Sequence, residues 1–356
     1  MPKLPVMFLR CCWLVLASAL AAADLDLGTK VQPLPATQRF GVPGYHVWCG
    51  APVQTADGKV HLFYSRWPAK FGFAPAWAIH SEIAYAVADG PGQPFRPVNV
   101  ALPARGPDFW DGSVTHNPNV FIADGKFYLF YNGNVGDGVY ATHRNHQRVG
   151  VAVAEKPEGP WTRLARPIVD ISPDPQAFDS LCVTNPAACR RPDGSVLLLY
   201  KAVEAVPGKL MGGKVRYGAA IAKTPEGPYV KVAGKIFESE QPDAAKHWML
   251  AEDPYLWYDR PTASYRAVAR DVVGAFTGEK GGIALFVSAD GLAWKAAAHP
   301  KVLGGTFLKA DGTRSDTQLE RPALLFQGDR PIALFGASDG YKKDKESTNV
   351  QIPLAP

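Results

Sequence analysis

The sequence predicts an all-β fold, a five-bladed β-propeller of four-stranded antiparallel blades closed by N- and C-terminal strands. Three observations predict it: a unit of near-constant length recurs five times, Asp-Gly dipeptides join paired apolar runs inside the units, and Gly and Pro are abundant. Each unit opens with an X-Pro pair, continues as a short apolar strand, makes a tight turn and returns as a second apolar strand. The opening prolines are Pro52, Pro118, Pro186, Pro254 and Pro322, spaced by 66 residues once and then by 68 three times. Repetition at a fixed period is the signature of solenoid and propeller architectures, and four antiparallel strands repeated radially make a propeller blade. The 34 glycines and 32 prolines among 356 residues exceed the roughly 12% combined share of an average protein, as a fold with many turns requires. No segment carries sustained helical periodicity.

Each element of the unit has its own signal. Asp57-Gly58, Asp124-Gly125 and Asp193-Gly194 separate the first two strands, with Gly supplying the positive φ of a tight hairpin turn. A third strand follows (IAYAVA, VGVAVA, YGAAIA, IALFVS), then a turn and a fourth strand. Phe95, Trp161, Tyr229 and Trp294 sit at matching places near the unit ends, where an aromatic packs between neighbouring sheets. The fifth unit has no obvious fourth strand, and a strand around Thr29 to Gln32 is expected to complete it and tie the ends of the chain together.

Lys3 and Arg10 precede the apolar run Cys11 to Leu20, and Ala21-Ala22-Ala23 precede Asp24. This is the pattern of a secretory signal peptide cut after Ala23, too short to span a bilayer comfortably. Residues 1–23 are therefore read as the leader, 24–356 as one propeller domain, and the protein as exported to the periplasm or outside the cell. Cleavage leaves Cys49, Cys182 and Cys189, read as buried free thiols rather than a disulfide framework. Apolar residues make up 47% of the chain, enough for a large core, and a net charge of +5 is too mild to mark a nucleic-acid partner. Oligomeric state is not legible.

In a propeller the innermost strands converge on the axis, so equivalent positions of all units face one funnel. The residues before the prolines are Ala51, Asn117, Asn185, Asp253 and Arg321, and one position earlier stand Gly50, His116, Thr184, Glu252 and Glu320. A structural motif would repeat one residue here. Varied polar chemistry on a constant scaffold reads as a binding site, with strand-end residues bonding adjacent loops as the plain alternative. The ends of the second strands border the same mouth and supply Arg66, Asn132, Lys201, Arg270 and Asp271. Asp111 in WDGSVTHNP and Asp179 in FDSLCVTNP share a register and are either turn formers or an acid or base reaching the pocket. His46, Trp48, Trp67, Trp77 and Trp110 cluster nearby, as sugar-stacking faces or as core. No cofactor is implied. His143 and His146 lack Cys or carboxylate neighbours at metal spacing and read as loop surface.

The repeat, the X-Pro strand openings and the export signal together resemble the five-bladed propeller glycoside hydrolases, family 43 and relatives including family 117, over the whole chain after the leader. Family 43 implies a base Asp before Pro on the first blade, an Asp before Pro on the third, and an acid Glu two before Pro on the fourth. Glu252-Asp253-Pro254 fits the fourth-blade position, whereas Ala51 and Asn185 depart from the other two. The resemblance implies an exo-type glycoside hydrolase acting on a plant or algal oligo- or polysaccharide. Glu252 is the expected acid, kept protonated by its neighbour Asp253. Asp111, Asp179, Glu320 and Asp271 are the candidate bases. Family 117 implies a His acid, which adds His116. Lys201, Arg270, Arg321 and Arg66 would suit a carboxylated or sulfated sugar, with each able to pair with a nearby acid instead. A carbohydrate-binding propeller without catalysis, and a lyase or phosphorylase on the same scaffold, remain alternatives.

Overall fold

The computed structural model describes residues 25–239, 242–342 and 345–356; the leader read at 1–23 lies outside them. Five four-stranded antiparallel sheets are formed. In the first blade the strands run Tyr45–Gln54, Val60–Pro68, Glu82–Ala88 and Arg96–Leu102 from the axis outwards. The inner strands of the next four blades are Val114–Ala123, Cys182–Arg190, Ala251–Asp259 and Glu320–Gln327.

Side chains alternate across each strand, so every blade feeds two cores. In the second strand of the first blade, Leu62 and Tyr64 pack with Leu325 and Phe335 of the fifth blade, while Phe63 packs with Leu129 and Tyr131 of the second. Three other neighbouring-blade pairs are formed in the same way, and five apolar clusters result, one in each gap. The outer aromatics fill these gaps as expected: Trp161 meets Phe63 edge-on at 5.3 Å and Phe95 meets Phe335 at 6.0 Å.

Two expectations are corrected. The fifth blade is closed by Arg39–Phe40, which pairs with Thr348–Pro353, not by Thr29 to Gln32. That earlier stretch overlaps a short 3-10 turn, Gly28–Lys30, and meets the C-terminus through a bridge from Val31 to Leu354 and a hydrogen bond from Lys30 Nζ to the Pro356 carbonyl at 2.8 Å, so it ties the chain ends together without forming the closing strand. The closure principle holds because an unpaired sheet edge is a liability, but the pairing segment lies further along the chain.

The second correction concerns register. Each inner strand carries a bulge, with pairing jumping from His116 to Asn119, Thr184 to Ala187, Glu252 to Tyr255 and Glu320 to Ala323. The bulged residue has a left-handed backbone: φ is 53° at Asn117, 48° at Asn185, 57° at Asp253 and 56° at Arg321. In the first blade the jump is from Trp48 to Ala51, and the left-handed residue is Cys49 with φ 57°. Cys49-Gly50, not Ala51-Pro52, is therefore the first member of the repeat, which makes every step 68 residues. Pro follows the bulge elsewhere because it has no N–H to leave unpaired. Gly50 replaces it, and its N–H donates to Asn349 Oδ1 at 3.3 Å.

Candidate active-site funnel

The five bulges place five unlike side chains around the axis, where they form a belt. The Cys49 thiol donates to Asn117 Oδ1 at 2.9 Å, Asn117 Nδ2 to Asn185 Oδ1 at 2.5 Å, and Asn185 Nδ2 to Asp253 Oδ1 at 2.5 Å. Arg321 completes the series with an ion pair to Asp253 at 2.5 Å. A bulky non-Gly residue at positive φ costs about 1–2 kcal/mol, and five occur here because the belt over-determines them. Burial pushes the Cys49 thiol up to about 12, so it is held as a neutral donor. Burial likewise drives the Asp253 carboxyl upward against the pull of Arg321.

Above the belt opens a cavity of about 210 Å³. Its floor is built by the residues that precede the bulges. Glu252 is clamped, with Lys201 Nζ 2.6 Å from Oε1 and Arg270 Nη1 3.0 Å from Oε2. Burial opposes ionisation there, but Lys201, Arg321 and Arg270 together outweigh it and hold the carboxyl at about 2. Glu320 is in the reverse situation. Among the described residues its one ion pair is to Arg270 Nη2 at 3.5 Å, and burial, reinforced by Glu252 and Asp253, raises its carboxyl to about 7. The Asp253 and Glu320 carboxyls beside Glu252 are outweighed by three cations, so its carboxyl is displaced downward, opposite to the direction expected of a protonated acid. Glu320 is the carboxyl displaced upward, towards neutrality.

His116 Nδ1 lies 2.7 Å from Ser81 Oγ, and Nε2 lies 3.8 Å from Cys49 Sγ. Burial, with Arg321 adding to it, lowers its imidazole well below the usual range, so it sits at the funnel wall as a neutral ring rather than an imidazolium acid. The walls are aromatic: Trp48, Trp67, Phe73, Trp77, Tyr140, Trp248 and Tyr341 all line the cavity. Trp48 and the paired residues Lys201 and Arg270 belong to the set read from the sequence, as do Asn185, Asp253 and Arg321 beneath them. Asn117 lines the channel below the belt. Tyr341, Trp248, Tyr140, Arg144 and Gln147 were not foreseen, because they lie in irregular connections outside the 68-residue register.

Other sequence-derived candidates have different partners. Asp111 is fully buried and takes Arg105 Nε at 2.6 Å, Tyr131 Oη at 2.8 Å and Arg163 at 3.2 Å. Asp179 repeats the arrangement with Tyr200 Oη at 3.1 Å and Lys231 at 2.5 Å. Both are turn formers locking outer strands to inner ones, and Trp110 and Phe178 beside them stack on Tyr131 and Tyr200. Asp271 accepts four backbone N–H groups, from Gly274 through Thr277, and so organises its own loop. Arg66 pairs with Glu82 at 2.8 Å and lies over the Tyr45 ring. His46 accepts from the Ser347 N–H at 3.1 Å and lines a neighbouring recess with Phe73 and Glu346. Asn132 stands behind the wall, donating to Gln147 at 3.0 Å. His143 is buried, not loop surface: Nδ1 lies 2.7 Å from Asn134 Oδ1, and Nε2 accepts from the Gly138 N–H at 3.0 Å. His146 is exposed. Among the described residues no cluster of three His, Cys, Asp or Glu side chains is arranged to hold a metal.

No protein-family model matches the chain. A curated xylosidase/arabinosidase 43A of Humicola insolens is 29% identical over 107 residues, which is 30% of this chain. The match spans about a quarter of that relative's length, 25%. Solved structures share the architecture over almost the whole chain. A family 117 glycoside hydrolase of the marine bacterium Zobellia galactanivorans superposes with a TM-score of 0.62 at 16% identity, covering 91% of this chain and 89% of its own. A thermostable family 43 glycoside hydrolase gives 0.61 at 14% identity over 92% of both chains. A family 43 β-xylosidase/α-arabinofuranosidase from a compost metagenome, solved with xylotriose, gives 0.57 at 12% identity, over 92% of this chain and 95% of its own. At these identities the likeness establishes the five-bladed fold.

Proposed function

We propose that the protein is a glycoside hydrolase whose acid is Glu320 and whose ionised partner carboxylate is Glu252. One observation carries this reading: two carboxyls on adjacent inner strands share Arg270, yet one is held at about 2 and the other at about 7. Paired carboxyls driven apart in this way are what glycosidic cleavage uses. Glu320 gives its proton to the glycosidic oxygen as the C–O bond breaks and the electron pair leaves with that oxygen. Glu252 faces the positive charge that develops at the sugar, and water supplies the hydroxyl that ends on the anomeric carbon, its other proton restoring the acid form of Glu320. Each Glu252 oxygen has a second lone pair free for this despite its clamp.

The belt supports exo-type action. It closes the axis beneath the cavity, so a saccharide enters a dead end that accommodates a chain terminus better than a chain interior. The tryptophans on the wall offer ring faces for stacking on sugars. The curated relative and the structural neighbours support a plant or algal oligo- or polysaccharide as the class of substrate, and the leader pattern at 1–23 supports export.

Hydrolysis of aryl glycosides and oligosaccharides by the wild type and by Glu320→Gln tests the proposal. The variant should fold normally and lose at least about a hundredfold in kcat, the usual scale for a general acid. Undiminished turnover in it would remove Glu320 from the role. A second reading, a saccharide-binding propeller without catalysis, is favoured by the clamp on Glu252 and by Cys49 standing at the first-blade bulge. Tight oligosaccharide binding with no product over long incubation would establish that reading instead.

A further inference from the structure

The cavity carries more cations than carboxylates. Lys201, Arg270, Arg321 and Arg144 line it or its floor, against Glu252, Asp253 and Glu320. Three of the cations are spoken for: Lys201 and Arg270 by Glu252, and Arg321 by Asp253. Arg144 is different. It projects from the short helix Tyr140–Asn145, and its Nη1 donates to two neutral oxygens, Asn145 Oδ1 and the Met211 carbonyl, each at 3.0 Å. Among the described residues no carboxylate lies within ion-pair distance of it. A guanidinium has five donors in a planar fork, and among the described residues the Nε and Nη2 donors of Arg144 have no hydrogen-bond partner, which leaves them available to an oxyanion.

Arg144 lines the same cavity as Cys182, Lys201 and Trp248. Trp248 is 57% exposed, an indole left open in a region where most aromatics are covered. A planar cation and an exposed ring on one cavity are the means of holding a sugar by its face and an acidic substituent by its charge. We infer that the funnel selects a saccharide bearing an anionic group, a carboxylate or a sulfate, and that Arg144 is the residue that pairs with it. This deepens the proposed function and rests on the funnel being a saccharide site, but not on the saccharide being cleaved.

The test is a binding measurement, so its failure is distinct from a failure of hydrolysis. Isothermal titration calorimetry at low salt compares galacturonate and glucuronate with galactose and glucose, and with the 6-sulfates of the two neutral sugars. The full chain is used as wild type and as Arg144→Gln, with thermal unfolding to confirm the fold of the variant. At least one anionic sugar should bind tenfold or more tightly than its neutral counterpart. The preference should weaken with added salt and shrink towards unity in Arg144→Gln, while the weaker binding of the neutral sugar stays in place. A preference confined to the uronates names carboxylate as the group; one confined to the 6-sulfates names sulfate. Equal affinities across the set, no binding of any member, or a preference that survives Arg144→Gln overturns the inference.

Discussion

Glu252 and Glu320, 68 residues apart in sequence, bind opposite ends of the Arg270 guanidinium, at 3.0 Å and 3.5 Å respectively. The same cation does unequal work on them. Glu252 has Lys201 as well and is ionised throughout the useful pH range. Among the described residues Glu320 has only the longer contact, and burial with the repulsion of two neighbouring carboxylates holds its proton up to about pH 7.

The pH dependence of activity follows from this asymmetry. An acid that titrates at about 7 and a carboxylate that titrates at about 2 give a kcat/KM profile that is high between those limits and falls as pH rises through 7. A profile still rising above pH 8 would contradict the assignment.

Removing one arm of the clamp should move the acidic limb. Lys201→Met takes away the cation bound to Glu252 at 2.6 Å, so its carboxyl rises and activity is lost at a higher pH on the acid side. The alkaline limb belongs to Glu320 and should move much less. Loss of a hydrogen bond to a charged group should also cost about 1.5–3 kcal/mol of stability, measurable by urea unfolding.

Glu320 also affects stability in a definite direction. Its folded carboxyl lies above the ordinary value of 4.5, so between 4.5 and about 7 the folded state binds more protons than the unfolded chain. Its contribution is fully present below 4.5 and is lost as pH rises through 7. The melting temperature of Glu320→Gln relative to wild type should therefore be higher at pH 8 than at pH 4. A constant difference across that range would contradict the raised value.

Asp111 should behave as a strut. With no exposure and two arginines and a tyrosine bound to it, Asp111→Ala strands buried charge and should cost about 3–5 kcal/mol. The fraction that remains folded should keep the wild-type pH profile. An altered profile at full stability would return Asp111 to the site.

The belt predicts a further cost. Asn185→Ala removes the donor to Asp253 and the acceptor for Asn117, and puts a residue without a local polar side chain at φ 48°. Denaturant unfolding should show a loss of about 2 kcal/mol or more. A neutral result would mean that the belt does not hold the axis together.

The sequence by itself determined the number of blades, the pairing within the first four and four of the five bulge positions, Asn117, Asn185, Asp253 and Arg321. Each of these follows from local chemistry repeated at a constant interval: alternating apolar strands, Gly at positive-φ turns, and a left-handed bulge followed by Pro. Where the repeat dropped its Pro, at Cys49-Gly50, the reading slipped by two residues, because the bulge is defined by hydrogen-bond register and only its usual marker is visible in the chain. Where an element was only two residues long, as at Arg39–Phe40, no periodicity existed to find.

The tertiary structure alone decided which carboxyl holds a proton. Glu252, Asp271 and Asp111 look alike as letters near strand ends. Lys201, Arg270 and Arg321 gather on the first, backbone N–H groups on the second, and Arg105 with Arg163 on the third. Lys201 and Arg321 come from the neighbouring blades, Arg270 from the paired strand of the same blade, Arg163 from an outer strand and Arg105 from a loop, and a carboxyl's proton affinity depends on charges and burial within a few ångströms of it. Distance through the fold sets that environment, and spacing along the chain does not record it.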